Sequence, residues 1–165
     1  MKVLVVSGIW PPDVGGPASH APELVAFLRA CGDDVEALIT SDTRPAPEPF
    51  PVHWVSRRIP AGPRHAAVLA EVARRARGVD VVYATSMLTR AALGARLARK
   101  PIVVKLVADE AYERAKRRGL YDGTLDDFQR AAGGRAVATL KAARNRTLRR
   151  VDHLVCPSAY LAGLA

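Results

Sequence analysis

VDVVYATSMLTRAALGARLARKPIVVKL, residues 79–106, sets an apolar run, a helical stretch and a second apolar run in immediate succession. VDVVYAT (79–85) and PIVVKLV (101–107) are short and rich in β-branched residues. Such nearly continuous apolar runs read as strands buried on both faces, as in a parallel sheet. Residues 87–98 between them are rich in alanine and leucine and read as a helix. A strand, a crossover helix and a second strand make a right-handed parallel unit.

The same alternation extends outward in both directions. Residues 3–7 form a first apolar strand, and Leu24, Val25, Phe27 and Leu28 give the next segment a helical stripe that Gly32 is placed to stop. Residues 35–39 and 52–55 read as strands on either side of TRPAPEPFP (43–51), which is too rich in proline for anything but a loop. Val68, Leu69, Val72 and Ala76 give residues 64–77 a helical repeat. Residues 109–118 and 125–149 read as helices, the second interrupted at Gly133-Gly134. HLVCP (153–157) is a last strand, and Ser158 is placed to cap a final short helix. The expectation is a doubly wound α/β domain over residues 1–165, with a mostly parallel sheet of about six or seven strands, helices on both faces and the first strand central. SAYLAGLA at the end begins a helix with no polar terminus, which reads as a chain continuing into something longer.

With 165 residues the chain suits one core. No apolar run reaches the ~20 residues of a membrane span, and nothing resembles a signal peptide. Cys31 and Cys156 form no ligand or disulfide pattern and read as reduced core thiols of a cytoplasmic protein. The net charge of +9 favours anionic partners: nucleotide phosphates, lipid head groups or nucleic acid. A nucleic-acid role has little support, because aromatic residues are only 5% of the chain and no recognisable module is present.

In doubly wound sheets ligands sit at the carboxyl ends of the strands. The segments that matter are therefore 8–20, 85–86, 107–114 and 157–158. GIWPPDVGGPASH (8–20) is a shaped loop, with prolines fixing φ and glycines permitting close approach. Gly15 and Gly16 immediately precede a helix, so their amides either meet an anion or merely make the turn. The spacing is neither a dinucleotide fingerprint nor a Walker A loop. Thr85 and Ser86 read as helix caps, with a sugar-hydroxyl contact as the alternative for both. Lys105, Val107 and Asp109 share one side if the strand runs that far. Lys105 then pairs with Asp109 or Glu110, or opens into the cleft. Glu113 and Arg117 are spaced to pair along a helix, and Arg114 is a candidate for phosphate. His20 lies near the start of the first helix, facing either the cleft or solvent.

Several of these stretches carry a resemblance. PPDVGG (11–16), LVAFLRACGDDVEAL (24–38), the 79–106 unit, VKLVADEAYERAKRRG (104–119), DDFQR (126–130) and RRVDHLVCPSAYLAGL (149–164) resemble, in order and spacing, the N-terminal half of retaining glycosyltransferases of family 4. The resemblance implies one Rossmann-like half of a GT-B fold. In that family this half mainly binds the acceptor, and the other half holds the sugar nucleotide and an E-x7-E glutamate pair, a motif missing from this sequence. By resemblance Gly15 and Gly16 face the donor diphosphate, Asp109 is the catalytic candidate, and His20, Ser86, Lys105 and Arg114 are acceptor or cleft candidates. Many relatives carry a His-Gly pair where this chain has Val107 and Ala108, so no histidine role transfers there.

The resulting expectation is the acceptor-binding domain of a glycosyltransferase, inactive alone, with a nucleotide-sugar as donor and no cofactor or metal. The acceptor is a sugar or a lipid-linked molecule. The alternative is a free-standing Rossmann-like module that binds a nucleotide or phosphorylated ligand without catalysis. The basic segment 114–150, with Val137, Leu140 and Leu148 on one stripe, reads as a core-facing helix or as a peripheral contact with an anionic membrane.

Overall fold

The first strand, β1 (Lys2–Ser7), is buried at every position from Val3 to Ser7 because it serves two cores. Val3 and Val5 join one apolar cluster, and Leu4 and Val6 join another on the opposite face. That follows from the two-residue period of a strand. The computed structural model describes residues 1–130 and 133–164. After β1 come α1 (Gly16–Ala30), β2 (Asp34–Ser41), β3 (Val52–Ser56), α2 (Ala61–Ala76), β4 (Val81–Ala84), α3 (Leu88–Ala98), β5 (Ile102–Lys105), α4 (Glu110–Arg117), α5 (Leu125–Arg130), α6 (Arg135–Leu148), β6 (His153–Val155) and α7 (Ala159–Leu164). Among the described residues the sheet has six strands in the order β3-β2-β1-β4-β5-β6, all neighbours parallel. The fold is Rossmann-like, with β1 central as expected. Sequence order reverses between β1 and β4, where Val5 sits opposite Tyr83.

α2 and α3 cover one face, packing Val68, Val72, Ala91 and Ala95 on Leu4, Val82 and Val104. Burial of each such aliphatic side chain contributes roughly 1.5–3 kcal/mol. The two helices meet so closely that a Cβ on Gly94 would lie 2.5 Å from Val72 Cγ1 and 3.1 Å from the Ala73 backbone nitrogen. α1 covers the other face with Ala21 and Val25, joined by the buried Trp10. A third cluster sits beyond the sheet, where Phe128 of α5 packs with Ala111, Ala115 and Val137. Tyr112 and Tyr121 meet the Phe128 ring edge-on at 5.5 and 5.1 Å.

Several local expectations change. β5 ends at Lys105, so the alternation does not reach Val107 and Asp109; the chain leaves the sheet to enter α4. Thr85 and Ser86 do not cap α3. Met87 stands at the cap in the left-handed conformation, φ 55°, and no side chain caps the helix. Glu113 and Arg117 form no ion pair among the described residues; Glu110 pairs with Arg114 instead, at 3.6 Å. Cys31 is exposed rather than in the core, because α1 ends on it and Gly32 turns the chain at φ +86°. Cys156 is half-buried. The expected 125–149 helix is two helices, and residues 131–132 between them lie outside the described residues. Val137 and Leu140 face the Phe128 cluster, and Leu148 packs on the α2–α3 side of the sheet, so the basic helix turns its apolar stripe inward.

Candidate functional site

At the switch in strand order the loop after β1 meets the loop after β4. The Gly8 amide donates to Ser86 Oγ, and Thr40 Oγ1 donates to the Gly8 carbonyl at 2.8 Å. A Cβ on Gly8 would stand 2.9 Å from Ser86 Oγ and 3.3 Å from Met87 Cγ, so a side chain there would displace Ser86. The β1–α1 loop is anchored elsewhere too. Asp13 N–H donates to the Trp10 carbonyl at 2.9 Å, Trp10 is 1% exposed, and Phe50 meets its ring edge-on at 6.2 Å. Arg57 Nη2 donates to both Asp13 oxygens, at 2.6 and 2.7 Å, and ties this loop to the one after β3.

These contacts leave two adjoining cavities that share Ser86. The first, about 320 Å³, lies under the amino ends of α2 and α3 and is lined by Gly8, Arg64, His65, Val68, Ser86 and Arg90 among others. The second, about 260 Å³, lies along the start of α4 and brings together three of the expected residues, Ser86, Lys105 and Arg114. Lys105 pairs with neither Asp109 nor Glu110; among the described residues it makes no ion pair. His20 lines neither cavity. Its Nε2 lies 3.5 Å from Tyr83 Oη on the α1 side of the sheet. Burial lowers its pKa, the Lys105 ammonium adds to that, and Glu23 opposes it.

Gly15 and Gly16 open α1. Gly15 has φ +148°, and its carbonyl accepts from the Ala18 and Ser19 amides. A proline stands in the first turn and offers no donor. Among the described residues the Gly16 amide is thus the one amide of that first turn without a hydrogen bond, fewer than a glycine-rich loop suggests. A Cβ on Gly16 would meet nothing within 4 Å.

Asp109 is 5% exposed and structurally committed. One oxygen accepts from the amides of Ala111 and Tyr112, at 2.8 and 3.1 Å, and caps α4. The other accepts from Gln129 Nε2 at 2.7 Å and from Arg144 Nη1. The expected catalytic carboxylate thus joins α4, α5 and α6 rather than facing either cavity.

The residues that sequence reasoning missed are Arg64, His65 and Arg90. Burial lowers the pKa of His65, and the guanidiniums of Arg90, Arg64 and Arg114 add to the effect. Burial also lowers that of Arg90, with Arg114 and Arg64 adding to it against Glu110. The available signal was positional. Arg64 and Arg90 lie in or just beyond the first turn of helices that follow strands, which is where side chains face the carboxyl ends of a parallel sheet.

A solved structure similar to this one, "The Crystal Structure of the DNA/Pantothenate Metabolism Flavoprotein from Streptococcus pneumoniae", is 13% identical, with a TM-score of 0.51. The alignment covers 94% of this chain and 80% of that chain, and the likeness shows the fold alone. No curated protein matches the sequence. The family model described as a glycosyl transferase 4-like domain matches residues 15–165, from the glycine pair to the last helix. The chain belongs to the glycosyl transferase 4-like domain family.

Proposed function

We propose that this glycosyltransferase-type domain forms the acceptor-side wall of a cleft in which a sugar passes from a nucleotide-sugar to an acceptor. The opposite wall would be a second Rossmann-like domain that holds the donor. The observation that carries this reading is the pair of cation-lined cavities at the switch in strand order, in a chain of this family. In this arrangement the Gly16 amide points at the donor diphosphate, where a fixed dipole stabilises charge developing on the departing group. Ser86 and Lys105 meet acceptor hydroxyls, and Arg114 meets phosphate. Asp109 acts as a positioning residue for α4. No metal or cofactor is required.

The domain alone should transfer nothing. Nucleotide release from UDP- and GDP-sugars is the measurement. Turnover of about 1 per second or more by the isolated chain would overturn the reading. Restoration of transfer by a donor-binding domain would support it. A second reading, a phosphorylated-ligand module without catalysis, draws on the arginines Arg57, Arg64 and Arg90 that line one cavity. Addition of a donor-binding domain would then create no turnover.

No described helix is long and apolar enough to cross a membrane. Because α6 turns its apolar stripe inward, any contact with an anionic membrane would rest on Arg146, Arg149 and Arg150 as an electrostatic attachment.

A further inference from the structure

Among the described residues the side chain of Arg90, a half-buried arginine, makes no hydrogen bond and no close ion pair, and its Nε is buried. A buried charged group left in this state is costly unless something completes it. Arg64 lines the same cavity and, among the described residues, uses only Nη1, on the carbonyls of Arg57 and Ile59. Arg57 also lines it but is neutralised by Asp13 and Asp42. Glu110, which attracts Arg90 electrostatically, is paired with Arg114 at 3.6 Å.

Two further features point the same way. α2 and α3 both direct their amino ends at the cavity, neither has an acidic residue in its first turn, and neither has a side-chain cap. Cations near positive helix ends are unfavourable unless an anion sits between them. Ser86 Oγ accepts the Gly8 amide, which leaves its own proton to donate into the cavity. The cavity therefore offers two guanidiniums, a hydroxyl and an imidazole, and no carboxylate stands among its lining residues.

We propose that the cavity between α2, α3 and Gly8 binds a phosphoryl group, held by Arg90 and Arg64 with Ser86 donating a hydrogen bond, and that this group is a phosphate monoester on the acceptor. Two unpaired guanidiniums match the charge of a monoester, about −1.5 to −2 at neutral pH. Planar multi-donor groups suit its three terminal oxygens. The site itself stands on the geometry; its assignment to the acceptor rests on the transferase reading.

The test uses the isolated chain and inorganic phosphate, titrated by calorimetry against chloride of equal ionic strength. Saturable binding is expected, weakened about tenfold or more by R90Q and unchanged by R149Q. Absence of saturable binding, or equal binding by a folded R90Q, would overturn the site. Should R90Q not fold, the unsubstituted chain gives the answer through phenylglyoxal. Phosphate should slow modification of Arg90 and leave Arg149 unaffected; equal rates with and without phosphate would overturn the site. Competition separates the two sources of the group. Displacement of phosphate by glucose 6-phosphate at lower concentration than by UDP or GDP supports the acceptor assignment. Displacement by the nucleoside diphosphates alone overturns it in favour of the donor. Failure of the transferase reading would instead appear as a two-domain enzyme that binds phosphate but transfers no sugar.

Discussion

Gly15 and Gly16 adjoin at the start of α1 but carry different constraints. Gly15 holds φ +148°, and a Cβ there would stand 3.1 Å from Ile9 Cδ1, so any side chain is strained. Gly16 has no positive φ and open space around its missing Cβ. Gly16→Ala should therefore keep or slightly raise stability, by up to about 1 kcal/mol, through the smaller entropy of the unfolded chain. In the two-domain enzyme its turnover should fall about 100-fold, because a methyl group stands where phosphate oxygens approach. Urea denaturation and nucleotide-release kinetics on the one variant decide the matter. A stable variant with full turnover reduces the pair to a turn. The glycine pair was legible because glycine's effect is local. Arg90 was not, because its lack of a close ion pair depends on where every nearby carboxylate ends up. Asp109 misled for a similar reason: its partner Arg144 lies 35 residues away, and a long-range ion pair leaves no mark in a short window.

Elements were more legible than side chains. The alternation of apolar runs found all six strands of the described residues, since each buried strand must be apolar whatever its neighbours. Their ends were less visible. β5 stops at Lys105 because the Asp109 carboxylate starts α4, a competition between ladder and cap that composition does not reveal. The α3 cap was missed because Met87 takes a left-handed conformation that its residue type disfavours. Close helix packing was also invisible, although it rests on one residue. Gly94→Ala forces a methyl group against Val72 and the Ala73 backbone. It should destabilise the domain by about 1–3 kcal/mol. A thermal melt of the folded variant should show the loss, and an unchanged midpoint would mean that α2 and α3 part without cost. Arg64 and Arg90 ride on these two helices, so the variant should also weaken phosphate binding.

For the whole molecule, three histidines contribute to the response to acid near neutrality. Burial lowers the pKa of His20, His53 and His65. At His53, Nε2 lies 2.7 Å from Glu36 Oε2 and 2.6 Å from Arg75 Nη1; the carboxylate opposes the shift and the guanidinium adds to it. A lowered folded-state pKa means that the unfolded chain takes up protons first. The domain should thus hold full stability above the ordinary histidine value, about 6.5, and lose it as pH falls through the lower folded values. Urea midpoints at pH 7.5 and 5.5 should differ in that direction, and the difference should shrink in His53→Gln. A midpoint that rises on acidification would contradict the burial. The charge of +9 was read from the sequence as a taste for anions, and its concentration around two helix ends came only with the fold. Finally, the bond from Gly8 to Ser86 sews together the two loops that flank the switch in strand order. Those loops are the lips of the cavity, and a stitch at their base stops them from spreading. A ligand then enters a mouth already set to its size and spends little of its affinity on ordering the protein.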